Sequence, residues 1–302
     1  MTAPLIGPDR VALDRDEEIA RLREIARRIR VETVRTIHAT RVGHLGGSLS
    51  EADILAALYF RVLRIRPSEP GWPERDRFVL SKGHSAVGLY AAMALRGYLP
   101  VEELVTFDAL GTRLQGHPDM TRLPGLDMST GSLGMGLSAA VGMALGLRLQ
   151  GNPARTYALV GDGECQEGAV WEAAFVAARY RLASLTAIVD HNRLQQHGWQ
   201  GAAFEDRLPP HEPGELVRKW EAFGWNVLEI DGHDMGAIVD AFDRLPDPDG
   251  RPSVIVANTR KGHGLSFTEG RYDSHTKVPT DAEFALALAE LGEPSSGEGA
   301  PA

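Results

Sequence analysis

The sequence predicts an α/β fold of three layers, a mostly parallel sheet with helices on both faces. Five short apolar runs, RFVLS (77–81), TYALV (156–160), LTAIVD (185–190), NVLEI (226–230) and SVIVAN (253–258), are nearly continuous rather than alternating. Continuous runs of that length suit strands covered on both faces. Stretches of helical period separate them, and this alternation is the signature of a parallel sheet with crossover helices. Four of the five runs end in polar residues, and in open sheets of this kind the ligand crevice lies beyond the carboxyl ends of the strands.

Taken in order, the first element is DRDEEIARLREIARRIRVETVRTIHAT, from Asp14. It places Ile19, Leu22, Ile25, Ile29, Val34 and Ile37 on one face, with acids in the first turn, and predicts an amphipathic helix to Ala39. RFVLS leads into SKGHSAVGLYAAM, where strand gives way to helix. The uncharged segment Gly131 to Leu147 is too short and glycine-rich to favour a membrane span, so a buried helix is expected. Within it Ser138, Gly142 and Gly146 recur every fourth position, leaving room for a neighbouring backbone. GAVWEAAFVAARY, PGELVRKWEAFG and MGAIVDAFDRL supply the later helices between strands. Residues 1–13 read as a flexible N-terminus, 14–291 as one domain and 292–302 as a flexible polar tail.

At 302 residues and 43% hydrophobic the chain has ample material for one large core. Its 32 basic and 41 acidic residues give a net charge of -9, which argues against nucleic acid or an anionic membrane as a general partner. The single cysteine, Cys165, has no internal partner, and the first residues lack the apolar stretch of a secretory signal. A cytoplasmic location is the expectation.

The chemistry-bearing residues cluster at the strand ends. In GDGECQEG, Asp162 is a hard oxygen ligand between Gly161 and Gly163, and Asn192 can add a carbonyl oxygen from the next strand end. Magnesium takes few protein oxygens and completes its shell with water and phosphate. Taken alone, a GDG triplet is equally a plain turn. Lys82 and His84 could meet a phosphate or belong to a helix-capping segment. His44 and His117 each follow a glycine, whereas His38, His197 and His211 have no supporting context and read as surface or packing residues. Gly131, Ser132 and Leu133 stand at a glycine-rich helix entrance that could bind a ligand or serve close packing.

Together these blocks resemble the N-terminal, diphosphate-binding part of transketolases, in particular its split form made as a separate subunit. The resemblance runs from about Glu17 to Leu291 through GHLGGSLS, DRFVLSKGH, LQGHPDMTRLPGLDMSTGSLGMG and TRKGHGLSF, with Asn192 thirty positions after Asp162. It implies the thiamine diphosphate-binding fold (PP domain), with thiamine diphosphate and Mg2+ as cofactors. Asp162, Asn192 and the main-chain oxygen of Leu194 would bind the metal. Lys82, His84, Gly131, Ser132, Leu133, Gly161, Gly163, Glu164, Glu172, Lys261 and His275 match positions at or near the cofactor, with Glu164 contributing backbone only. His44, His117 and His275 match residues that read the sugar and move protons, and Glu167 and Glu172 match acids near the subunit contact.

Three departures stand out: Leu45 where proline is usual, His263 where another basic residue is usual, and the unusual flanks of His275. Nothing in the chain resembles the family's pyrimidine-binding domain. A separately encoded C-terminal subunit carrying that domain is therefore the implied partner, in a two-plus-two heterotetramer acting on sugar phosphates. A specialised enzyme acting on a modified sugar or a 2-oxo acid, and a non-catalytic binding or regulatory subunit, are the alternatives.

Overall fold

The computed structural model describes residues 13–196 and 214–293. The expected flexible termini, His197 and His211 fall almost wholly outside the described residues.

Five strands form one sheet: β1 (Arg77–Leu80), β2 (Thr156–Gly161), β3 (Leu185–His191), β4 (Asn226–Asp231) and β5 (Ser253–Asn258). Every pairing is parallel, in the order β1-β2-β3-β5-β4. The five apolar runs thus become strands within a residue of their expected bounds. Successive side chains point to opposite faces, so each run must be apolar throughout. Phe78, Leu80, Tyr157, Leu159, Ile188 and Ile255 enter one core. Val79, Ala158, Val160, Val189, Val254 and Val256 enter the other.

On the first face lie α1 (Arg15–Thr40), α2 (Leu45–Ser50), α3 (Ala52–Ala57), α4 (Ala86–Arg96), α8 (Met235–Asp243) and α9 (Asp281–Glu290). On the second lie α5 (Met135–Leu149), α6 (Gly168–Arg179) and α7 (Glu215–Ala222). The three-layer expectation therefore holds. Helix α1 starts on a capping box, Asp14 accepting from Glu17 N at 2.9 Å while Glu17 accepts from Asp14 N at 3.1 Å. It buries Leu22, Ile25, Ile29, Val34 and Ile37 as its periodicity requires. The left-handed turn at Arg41 (φ 60°) then releases the chain towards His44, which precedes α2.

One expected element differs. The uncharged segment from Gly131 enters its helix only at Met135, because Gly134 adopts φ 84° and ends the loop before it. Nor is that helix buried all round: Met135 is 50% and Leu149 85% exposed. A Cβ added at Gly142 or Gly146 would meet nothing within 4 Å, so the small-residue stripe faces outward. The inner side is tight instead, since a Cβ at Gly136 would overlap Ser81 beyond β1. Among the described residues, no helix is long and apolar enough to cross a membrane.

Candidate functional site

The carboxyl ends of β1, β2, β3 and β5 converge on a cleft of about 410 Å³. Its lining includes His44, Lys82, His84, Gly131, Leu133, Gly161, Asp162, Gly163, Glu164, Asn192, Leu194, Lys261 and His275. Thirteen residues singled out along the sequence thus meet in one place. Ser132 lies exposed between two of them, outside that lining. His117 lines a neighbouring funnel of about 560 Å³ with His44, Asp108, Gln115, Asp119 and Ser129. His44 belongs to both cavities and joins them.

At the end of β2, Asp162 is 3% exposed. Its carboxylate accepts from Gly163 N at 2.8 Å and from Arg193 N at 2.6 Å, which ties the loops after β2 and β3 together. Arg193 reaches that position by taking φ 64°, a conformation rare for a residue with a side chain and common at functional loops. The Asn192 side chain donates from Nδ2 to Asp190 at 3.1 Å, and its oxygen accepts from Leu194 N at 3.1 Å. The Leu194 carbonyl accepts from Lys261 Nζ at 3.1 Å. Hard oxygens from Asp162, Asn192 and Leu194 therefore border one cleft, a donor set that suits a divalent cation of the magnesium type.

Four imidazoles gather on the opposite side. The ring centroids of His44 lie 5.2 Å from His84, 5.1 Å from His275 and 6.2 Å from His117. His275 Nδ1 lies 2.9 Å from Lys261 Nζ. An ammonium can only donate, so Nδ1 is the acceptor and neutral His275 carries its proton on Nε2. Burial, together with the Lys82 charge, drives Lys261 down to about 8. Burial with neighbouring cations and imidazoles lowers His44 and pushes His84 down to about 2. Both shifts hold His44 and His84 in the neutral form.

These shifts carry a stability prediction. A base whose folded pKa lies below its unfolded value leaves the unfolded chain holding more protons as pH falls. His44, His84 and His263, the last lowered to about 4 mainly by burial, all have that sign, so stability is present above pH 6.5 and lost on acidification. Glu51, raised to about 7 by burial, and Glu164, also raised by burial, work in the opposite sense above 4.5, two groups against three. The thermal unfolding midpoint is expected to fall from pH 7 to pH 5, and a flat profile would contradict the three lowered imidazoles.

Several expectations need correction. Lys82 is not available as a phosphate donor: it is 2% exposed and its Nζ lies 2.7 Å from Glu51, 2.8 Å from Asp190 and 3.2 Å from the Gly47 carbonyl. Glu164 contributes more than backbone. Its buried carboxylate accepts from Ser81 Oγ, from Gly134 N at 2.8 Å and from Gly161 N at 3.0 Å, bracing the loop ahead of α5 against β1 and β2. Glu172 sits on the exposed side of α6, away from the cleft lining, and Glu167 is exposed just before that helix. His38 stacks on Phe284 at 4.0 Å and lies 2.9 Å from Asp281, a packing role as expected.

His263 points away from the cleft into a second histidine cluster. Asp53, His233 and His263 have the spacing of metal ligands, but the Asp53 carboxylate, both His233 nitrogens and His263 Nδ1 already have partners. Asp53 pairs with Arg30 and lies 2.9 Å from His233 Nδ1, while His233 Nε2 accepts from Arg260 N at 2.8 Å. His263 Nδ1 lies 3.0 Å from Glu269, and the two rings stack at 3.6 Å with 20° between their planes. Arg30, paired with Asp53, already supplies a positive charge there. The group is a structural network bracing the loop after β5.

Sequence reasoning missed Glu51, Ser50, Asp190 and Thr259, all buried behind the cleft. The signal was present in Asp190, an acid closing an otherwise apolar strand run. Such a charge is retained inside a protein only when it is paired.

Residues 22–296 match the transketolase, thiamine diphosphate binding domain. The chain is 49% identical over 263 residues to the 6-deoxy-6-sulfo-D-fructose transketolase subunit SqwG of Clostridium sp. (strain MSTE9), covering 87% of this chain and 93% of that one. It is 45% identical to an apulose-4-phosphate transketolase subunit of Actinobacillus succinogenes, covering 82% and 87% of the two chains. Among solved structures, the transketolase of Campylobacter jejuni superposes with a TM-score of 0.83 at 32% identity, over 92% of this chain and 43% of that enzyme. The chain therefore spans less than half of that longer transketolase and nearly all of the subunit-sized relatives. Agreement at this level, over a shared parallel sheet and across most of the sequence, establishes that the chain belongs to the transketolase family, as its thiamine diphosphate binding domain.

Proposed function

We propose that the chain is the diphosphate-binding subunit of a two-chain transketolase, moving a two-carbon ketol unit from a ketose to an aldose phosphate with thiamine diphosphate and Mg2+. The observation that carries this reading is the cleft itself, where Asp162, Asn192 and Leu194 face Lys261, His84, His275 and His44 across about 410 Å³. The donor set fits the group: three hard oxygens for a magnesium ion, with a lysine and imidazoles for diphosphate oxygens.

Thiamine diphosphate, when bound, supplies the electron sink for the pair released as the C–C bond beside the ketose carbonyl breaks. The chain's own residues anchor, orient and move protons. Asp162, Asn192 and the Leu194 carbonyl hold the metal, and Lys261 and His275 meet the diphosphate with His84 beside them. Gly161, Gly163 and the Gly131–Leu133 segment let main chain come close to the cofactor. His44 and His117, at the junction of cleft and funnel, hydrogen-bond the sugar hydroxyls and carry protons between them and water.

The funnel also bears on the substrate. Among its described lining residues are two acids, Asp108 and Asp119, and no lysine or arginine. A phosphate or sulfonate at the far end of the sugar is then held by the partner chain. The relatives named for a sulfo-sugar and for apulose 4-phosphate support a modified sugar as the natural donor.

The partner carries the pyrimidine-binding domain and docks on the outward faces of α5 and α6. Met135, Leu149, Phe175 and Tyr180 are there 50%, 85%, 63% and 53% exposed, beside the open backbone at Gly142 and Gly146. Glu167 and Glu172 lie on this face, in reach of a partner and not of the cleft. Two copies of each chain, working in the cytoplasm, complete the proposal. The test is reconstitution: the chain alone and mixed with its partner, assayed against a panel of ketose and aldose phosphates and 6-deoxy-6-sulfofructose. Ketol transfer is expected only in the mixture, and turnover by the single chain would overturn the two-chain reading.

A further inference from the structure

We infer that Asp190 is the positioning residue that decides which end of the Asn192 amide faces the metal, and that it locks together the four chain segments that carry the site. The inference rests on the proposed reading of Asn192 as a magnesium ligand.

Asp190 is the penultimate residue of β3 and is 0% exposed. Its Oδ2 accepts from Ser50 Oγ at 2.7 Å, Lys82 Nζ at 2.8 Å and Asn192 Nδ2 at 3.1 Å, and its Oδ1 accepts from Thr259 Oγ1. An ionised carboxylate can only accept, so it demands the NH2 end of Asn192. On the other side, Leu194 N can only donate, and it takes the Asn192 oxygen at 3.1 Å. Both neighbours require the same orientation. Turning the amide over would set its oxygen against the Asp190 carboxylate and its NH2 against the Leu194 N–H. A magnesium ion accepts the amide oxygen and not the NH2 nitrogen, so this buried acid, acting with the Leu194 N–H, keeps the ligating end of residue 192 in place.

The four donors come from separate parts of the chain. Ser50 ends α2, whose start carries His44; Lys82 follows β1 and leads to His84; Asn192 follows β3; and Thr259 follows β5 and leads to Lys261. One carboxylate thus fixes the relative positions of the metal side and the imidazole side of the cleft.

The experiment compares metal affinity in the chain mixed with thiamine diphosphate and its partner chain, with Mn2+ as the probe and free Mn2+ followed by electron paramagnetic resonance. Asp190→Asn, nearly the same shape, can present NH2 towards Asn192 and is expected to weaken Mn2+ binding about ten- to a hundredfold. The double variant Asp190→Asn with Asn192→Asp is expected to recover most of that loss, because a carboxylate at 192 offers an oxygen whichever way it turns. A general weakening of the fold would not be repaired by that second change. Native affinity in Asp190→Asn, or a loss that the double variant fails to recover, overturns the positioning role. Native affinity in Asn192→Ala removes the ligand reading itself, and this inference with it, so the two failures are told apart.

Discussion

Asp162→Ala is expected to abolish magnesium-dependent binding of thiamine diphosphate while leaving the chain folded. The residue sits at the end of β2 with its carboxylate facing the cleft, and its two main-chain partners, Gly163 N and Arg193 N, belong to the loops that would flank the diphosphate. Removing it takes away a charged oxygen ligand and also frees the left-handed turn at Arg193 that brings Leu194 into place. Loss of a first ligand together with its loop support corresponds to at least a hundredfold in affinity, about 2.7 kcal/mol. Isothermal calorimetry with and without Mg2+ reads this directly, and an unchanged affinity would remove Asp162 from the metal site.

The second large effect belongs to Lys82→Met, and it concerns stability. Lys82 lies between Glu51 and Asp190, all three at most 2% exposed. Taking one member out of a buried ionic group leaves the others uncompensated, which costs roughly 3–5 kcal/mol. Burial already raises Glu51 to about 7, whereas the nearby Lys82 charge and its hydrogen bonds keep Asp190 below its ordinary value against burial. Without the ammonium, Glu51 takes up a proton still more readily. The deficit in urea unfolding is therefore expected to shrink as pH falls from 8 to 6, where one of the two carboxylates becomes neutral. Adding Glu51→Gln is expected to recover part of the loss at pH 8. A variant of native stability with weakened cofactor binding would instead restore Lys82 as a phosphate contact.

The neighbouring histidines follow the same logic of burial. His44 and His84 are lowered mainly by burial within this chain, so exposing them is expected to return them towards ordinary values.

Much of this protein was legible in its residues. The strands could be read because a parallel strand buried on both faces has no polar positions to disguise it, and all five runs appear in the sheet. Helix α1 could be read from Asp14, Glu17 and the spacing of Ile25, Ile29 and Ile37, which are local rules. The strand-end residues Asp162, Asn192, Lys261 and His84 could be proposed together because strand polarity alone sends them to one edge. What could not be read is which charges answer one another. Lys82 looked free because Glu51 and Asp190 lie 31 and 108 positions away in sequence. Glu164 looked like backbone because its acceptors' partners, Ser81 and Gly134, come from other elements. The outward face of α5 looked buried because apolar composition does not record which side of a helix its own fold leaves uncovered. By itself the sequence determined the layers, the sheet and the edge where the chemistry gathers, since period and polarity are local properties of the chain. Only the tertiary structure decided which groups line the cleft, which are braces and which face of α5 is left exposed, because burial and pairing depend on segments that meet solely after folding.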